Sequence, residues 1–383
     1  MAAIVLNGIT WGHSRGITPL LALSQRYSEL HPEVEIRWKK RTLQEFADFP
    51  IEKLTLEYDL LIIDHPWVGC AAATNCVLPL NEYLSPAYLN DQACNSTGQS
   101  HNSYTYKGKQ WALAIDAATP AASYRKDLLP ALPQTWEDVL ELAEAGKVAV
   151  PAIPIDLLMN FYTFCIAHGK EPFASNDEVI DEATGVNAIQ TMKALYSKLD
   201  PKFFQCNPIA VAELMSTTDD FWYCPFAYGY SNYSRTGYAK ELLHYSEVVT
   251  FNGKKLRTTI GGTGLSVSAF SQHKETALDF AALAVSGESQ RTMYVQHGGQ
   301  PGHRSAWEDE EANRLTHDYF RNVLPVMDNG YMRPRYNGYL HFQDHAGDPL
   351  QACIREDGDP LKALKTMNEI YRQSILTQVS IVQ

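Results

Sequence analysis

Residues 4–30, IVLNGITWGHSRGITPLLALSQRYSEL, pass from a short apolar run through a polar, glycine-flanked loop into a periodic stretch. Ile4 to Ile9 suits a strand and TWGHSRG a loop. In ITPLLALSQRYSEL the residues Leu20, Leu21, Leu23 and Tyr27 fall on one helical stripe. HPEVEIRWKKR, residues 31–41, then reads as a second strand after a proline turn, and TLQEFADFPIEKLTL, residues 42–56, as a helix up to Pro50. YDLLIIDHP, from Tyr58, carries a Leu and Ile run suited to a strand buried on both faces. Strand, helix, strand, helix, strand predicts an open parallel α/β sheet. Such sheets bind ligands beyond the carboxyl ends of their strands, here the loops Trp11–Arg15 and Asp64–Trp67.

The chain has 383 residues, longer than one core usually serves, so two lobes are expected. With 45% hydrophobic and 20% charged residues it reads as globular. A formal charge of −12 argues against a nucleic-acid or anionic-membrane surface. The longest basic run, Arg37 to Arg41, reads as a solvated strand end. No apolar run approaches the ~18 residues of a membrane span. The start, MAAIVLNGITWGH, has no charged leader region and no cleavage site, which leaves two readings open: a native cytosolic start, or a mature secreted form with an initiator Met in place of its export signal. Cysteines 70, 76, 94, 165, 206, 224 and 353 form neither CxxC nor a metal-ligand pattern. Their odd number leaves at least one thiol free, which favours a reducing compartment. Neither a metal nor a cofactor is expected.

Further along, a polar hairpin turn is expected at Lys107–Lys109, then an apolar strand and a small-residue stretch from Ala117 to Ala122 that suits a crossing between lobes. Helices are expected in LPQTWEDVLELAEAG, with Thr135 as N-cap and Gly146 as stop, and over 155–168 and 184–199. A polar turn, TFNGKKLRT, follows the aromatic block FWYCPFAYGYSNYSRTGY, residues 221–238.

Four further segments are YRKDLLPALPQTWEDVLELA, GGTGLSVSAFSQHKETALDFAALAVSGESQ, HGGQPGHRSAW and RPRYNGYLHFQD. In this order, with the N-terminal pattern, the chain resembles the extracellular solute-binding proteins that serve ABC importers, of the carbohydrate type. The resemblance implies an α/β, two-lobed periplasmic-binding-protein-like fold, with a ligand cleft between lobes joined by crossing strands and closed by a hinge. The crossings would lie near Asp116–Ser123 and Thr258–Gly264. One lobe would comprise 1–115 plus 262–308, the other 116–261 plus 309–383. It further implies a monomer that binds a small polar organic solute, of the sugar or small organic acid class, for delivery to an ABC transporter permease from a periplasmic or extracellular location. The alternative is a cytoplasmic enzyme or ligand sensor built on the same fold.

Candidate binding residues follow from chemistry at the strand ends. Trp11, His13, Ser14 and Arg15 combine an indole, an imidazole, a hydroxyl and a guanidinium, groups that stack on a solute and bond its polar edge. Asp64, His65 and Trp67 repeat the mixture, although Asp64 could instead hold an Asx-type turn before Pro66. Asp116 sits at the expected first crossing as an acceptor or a helix cap. Gly262 and Thr263, in IGGTGLS, offer close backbone approach or a hinge turn. Arg333 and Arg335 flank a proline and could project to one side as a carboxylate grip; of the two, Arg335 is assigned to the site. In the aromatic block, Phe221, Tyr223 and Phe226 suit core, while Tyr228 and Tyr230 are candidates to contact solute. Ser231 and Asn232 suit a core strand poorly. No GxSxG, HExxH or paired Cys and His motif occurs, and Cys224 reads as a buried thiol.

Overall fold

A computed structural model describes residues 4–42 and 51–381. The helix expected from Thr42 up to Pro50 thus falls, but for Thr42, outside the described residues, and Ile51–Leu54 beyond it forms one short helical turn. The first three strands are β1 (Ile4–Trp11), β2 (Val34–Arg41) and β3 (Leu60–Ile63), and both neighbours of β1 run parallel to it. All four residues of β3 are buried, as its unbroken apolar run requires.

The helix Ser14–Leu30 packs Leu20, Leu23 and Tyr27 into the core but leaves Leu21 51% exposed. Leu21 was expected on the apolar stripe. It lies about 100° around the axis from Leu20, which carries it past the edge of the buried face.

β4 (Thr105–Tyr106) and β5 (Lys109–Gln110) form the expected hairpin, with Lys107 and Gly108 at positive φ. β6 (Leu113–Ala118) returns to the large sheet. One residue later β7 (Pro120–Tyr124) begins a second sheet with β8 (Tyr223–Tyr228) and β9 (His244–Ser246), in the order β8-β7-β9. β10 (Thr250–Phe251) and β11 (Lys254–Lys255) turn at Asn252–Gly253. β12 (Gly261–Val267) completes the large sheet, in the order β2-β1-β3-β12-β6.

That sheet is mixed, not wholly parallel. β12 runs antiparallel to both neighbours because the chain reaches it from the second sheet and enters from the opposite end. Three further helices lie close to where the sequence placed them. Trp136–Glu144 starts at a Thr135 capping box, and Pro154–Ala167 and Glu182–Tyr196 lie where apolar spacing put them.

The lobes meet where three chain segments cross. Thr119 separates β6 from β7. Its hydroxyl lies 2.8 Å from that of Thr258 and donates to the Thr259 carbonyl at 3.0 Å, while Thr258 donates to the Pro120 carbonyl at 2.9 Å. The third crossing, around Gln300, was not anticipated. The Gln300 side chain donates to the Ala117 carbonyl and accepts from the Ser231 amide, and its own carbonyl receives the Ala117 amide. Ser231 and Asn232 lie in a buried 3-10 turn, Ser231–Ser234, whose first amide is the one that meets Gln300.

Gly262 has φ +99°, and a Cβ there would stand 2.3 Å from the Asp116 carbonyl oxygen. Both the dihedral and the close approach demand glycine. We expect Gly262→Ala to lower the unfolding free energy in denaturant titration by about 1–3 kcal/mol. Gly237→Ala, at φ +83° with nothing within 4 Å, should lose less.

Candidate functional site

A cleft of about 230 Å³ opens beside the crossings. One wall comes from the large sheet and its loops: Trp11 at the end of β1, Arg15 in the first turn of the following helix, Asp64 after β3, Asp116 in β6, and Gly261–Thr263 opening β12. The facing wall comes from Tyr228 at the end of β8, Tyr230 beyond it, the start of helix Pro154–Ala167, Asn207 and Pro208, and Arg333.

Two buried ion pairs organise these walls. Arg15, 3% exposed, forks its guanidinium onto both Asp116 oxygens, with Nε 2.9 Å from Oδ2, and donates through Nη1 to the Gly229 carbonyl at 2.9 Å. Burial opposes the Arg15 charge, but Asp116 more than offsets it, so the group stays charged. The Arg15 guanidinium also lies 4.9 Å from the Tyr230 ring and 5.6 Å from Trp11, so both rings are held against it.

In the second pair, Arg333 Nη2 donates to both Asp64 oxygens at 2.7 and 2.8 Å, and Nη1 donates to Gln343. Burial would raise Asp64, but the Arg333 charge and the His65 side chain hold it well below the usual carboxylate range. Asp64 also caps the short 3-10 turn His65–Trp67, accepting from the His65 amide at 2.8 Å. It is therefore both the turn cap and a cleft residue.

Of the candidates named from sequence, Trp11, Arg15, Asp64, Asp116, Tyr228, Tyr230, Gly262 and Thr263 come together on the cleft. Five stand behind or beside it. His13 caps the first helix through Nδ1, which accepts from the Arg15 amide, so Nε2 carries the proton toward Tyr238 Oη at 3.2 Å. Ser14 meets the same phenol at 2.8 Å. Burial, then the Arg15 charge, push His13 down to about 4, so it is neutral near pH 7. His65 is fully buried and lowered to about 4 by burial and then Arg333, and Trp67 packs in the apolar core. Arg335 spends its Nη1 on the carbonyls of Asn102, Ser103 and Thr105. Arg333, not Arg335, is the arginine of the cleft.

Sequence reasoning missed Ile153, Ile155, Asp156, Met159, Asn207 and Pro208. A signal existed for one of them. Asp156 is the sole charged residue of PIDLLMNFYTFCIA, a helix otherwise almost wholly apolar. Its carboxyl is 7% exposed, Oδ2 has no hydrogen-bond partner, and burial pushes it up to about 8. Arg333 Nε is likewise buried without a partner. The cleft therefore offers aromatic faces beside one acceptor and one donor that are buried without a partner, the composition of a site for a small polar molecule. Among the described residues no group of three or more His, Cys, Asp or Glu could hold a metal ion.

The family model for bacterial extracellular solute-binding proteins matches residues 50–317. The maltotriose-binding protein of Pyrococcus abyssi is 28% identical over 123 residues, 32% of this chain, and the match spans only 26% of that relative's length. Among solved structures, maltose-bound T. maritima MalE3 superposes with a TM-score of 0.85 at 17% identity, covering 97% of this chain and 99% of that one. The maltotriose-bound binding protein of Thermus thermophilus gives 0.77 at 20% identity, covering 97% and 100%. A ribitol complex of an ABC transporter solute-binding protein from Agrobacterium radiobacter K84 gives 0.80 at 18%, covering 97% and 99%. At these identities the structural likeness carries the two-lobed fold.

Arg333→Met should cost about 3–5 kcal/mol in denaturant unfolding, because it strands the Asp64 charge. Asp156 behaves oppositely. Its folded pKa lies above the unfolded value, so the folded state binds the extra proton and stability falls as pH rises from the ordinary Asp range toward 8. Asp156→Asn should thus raise stability by about 1 kcal/mol or more near pH 9 and by little near pH 4, read as the difference in melting temperature between the two proteins.

Proposed function

We propose that this chain, which belongs to the bacterial extracellular solute-binding proteins, captures one small polar organic solute in the cleft between its lobes and closes over it for delivery to an ABC importer. The observation that carries this reading is the cleft wall itself. It is drawn from both lobes at the hinge, lined by aromatic faces, and left with an acceptor on Asp156 and a donor on Arg333 that nothing in the protein satisfies. Unmet buried polar groups are expensive unless a ligand meets them. Function here is a change of shape and not of covalent bonds: the solute stabilises the closed state by touching both walls at once.

Within the solute classes, polyhydroxylated molecules fit better than organic acids. A carboxylate would need a free guanidinium fork, and both cleft arginines already serve Asp116 and Asp64. The assignment of lobes to 1–115 plus 262–308 and 116–261 plus 309–383, with a monomer acting outside the cytoplasm, belongs to the same proposal. One observation favours the rival of a cytoplasmic sensor or enzyme: all seven cysteines are free thiols.

Thermal-shift screening against sugars, polyols, amines and organic acids, followed by chemical analysis of any stabilising compound, separates the two. We expect stabilisation with the compound recovered unchanged; conversion of the compound would favour the enzyme. Tyr228→Ala combined with Tyr230→Ala should abolish the shift. Unchanged affinity with lowered stability would assign both rings to the core.

A further inference from the structure

The charges of the cleft do not cancel evenly. Arg15 is matched by Asp116 and Arg333 by Asp64. Asp156 is left over, 93% buried by its 7% exposure, lining the cavity with Oδ2 unpartnered. It lies in the first turn of its helix, where a negative charge suits the helix dipole, but it does not cap that start, which has no side-chain cap. The titratable groups that feel its charge are Tyr196, Cys224, Tyr228 and Tyr230, none of them a cation. The groups around it are hydroxyls, a thiol and aromatic faces.

On the reading that the cleft captures a solute, we infer that Asp156 selects a solute bearing an ammonium group on a polar skeleton, an amino sugar or aminopolyol in chemical class, over neutral and acidic solutes of the same shape. An anion would meet an unmatched carboxylate and no free cation. A neutral polyol would gain one hydrogen bond to Asp156. An ammonium would gain a charge-assisted one in a dry site, together with attraction to the faces of Tyr228 and Trp11. Ionising the carboxyl near pH 7 costs roughly tenfold in affinity, because one pH unit is a factor of ten. A desolvated ion pair recovers roughly a hundredfold or more. The ammonium therefore wins.

The test is titration calorimetry on sets matched in skeleton: D-glucose, D-glucosamine and D-gluconate; D-sorbitol and D-glucamine; glycerol, 3-amino-1,2-propanediol and glycerate. The wild type and Asp156→Asn are compared, and the variant's own melting curve establishes that it is folded. We expect the amine of at least one set to bind the wild type about tenfold tighter or more than its neutral partner. In Asp156→Asn that preference should vanish, the amine falling to within about threefold of its neutral partner. Neutral or acidic members binding as tightly as the amine, or a variant that keeps the preference, would overturn charge selectivity and leave capture standing. Silence from every member, and from the wider panel of sugars and amines, would overturn capture and this inference together.

Discussion

The structure depends on how a buried guanidinium is neutralised at the hinge. Arg15 leaves the large sheet one turn into its first helix, in a site where an unpaired charge could not persist. Asp116, two residues before the end of β6, takes two of its hydrogen bonds, and the Gly229 carbonyl takes a third. One side chain thereby positions the helix start, the crossing strand and the entry to the Tyr230 turn. Trp11 and Tyr230 are aligned by the same charge. The floor of the cleft follows from that arrangement, and Gly262 follows from it too, because only a residue without Cβ can pass the Asp116 carbonyl.

The second pair, Asp64 with Arg333, does the same work at the opposite rim and links the end of β3 to the C-terminal segment. Together the pairs engage both arginines of the cleft and leave Asp156 Oδ2 and one guanidinium nitrogen buried without a partner. A site assembled this way is rigid in its charged parts and open in its hydrogen-bonding parts. Such a division suits reversible binding, where the solute supplies what the closed state lacks and nothing in the wall needs to be rebuilt.

Much of this was legible in the sequence, for physical reasons that differ by residue. β3 announced itself by an unbroken apolar run and β1 by a largely apolar one, the helix after Thr135 by its capping box, and the hairpin turns by Lys-Gly and Asn-Gly pairs at positive φ. Trp11, Arg15, Asp64 and Asp116 were accessible because strand ends in α/β sheets converge on one side of the sheet. Leu21 failed because stripe spacing alone does not fix the edge of a buried face. The antiparallel β12 and the Gln300 crossing failed because they are set by where the chain returns from, a long-range fact with no local signature. Arg333 and Arg335 were separable only by what each found to bond, Asp64 in one case and three backbone carbonyls in the other. Asp156 carried a signal, a lone carboxylate in an apolar helix, whose meaning depended on seeing it face a cavity.

The central claim is that the hinge cleft is where the solute is held. A crystal structure of the protein with the solute that stabilises it most tests this directly. The account predicts density for that solute between Trp11 and Tyr228, with a polar atom within about 3 Å of the Asp156 carboxyl and both ion pairs intact. Density at any other surface, or a solute in the cleft that leaves Asp156 without a partner, would contradict it.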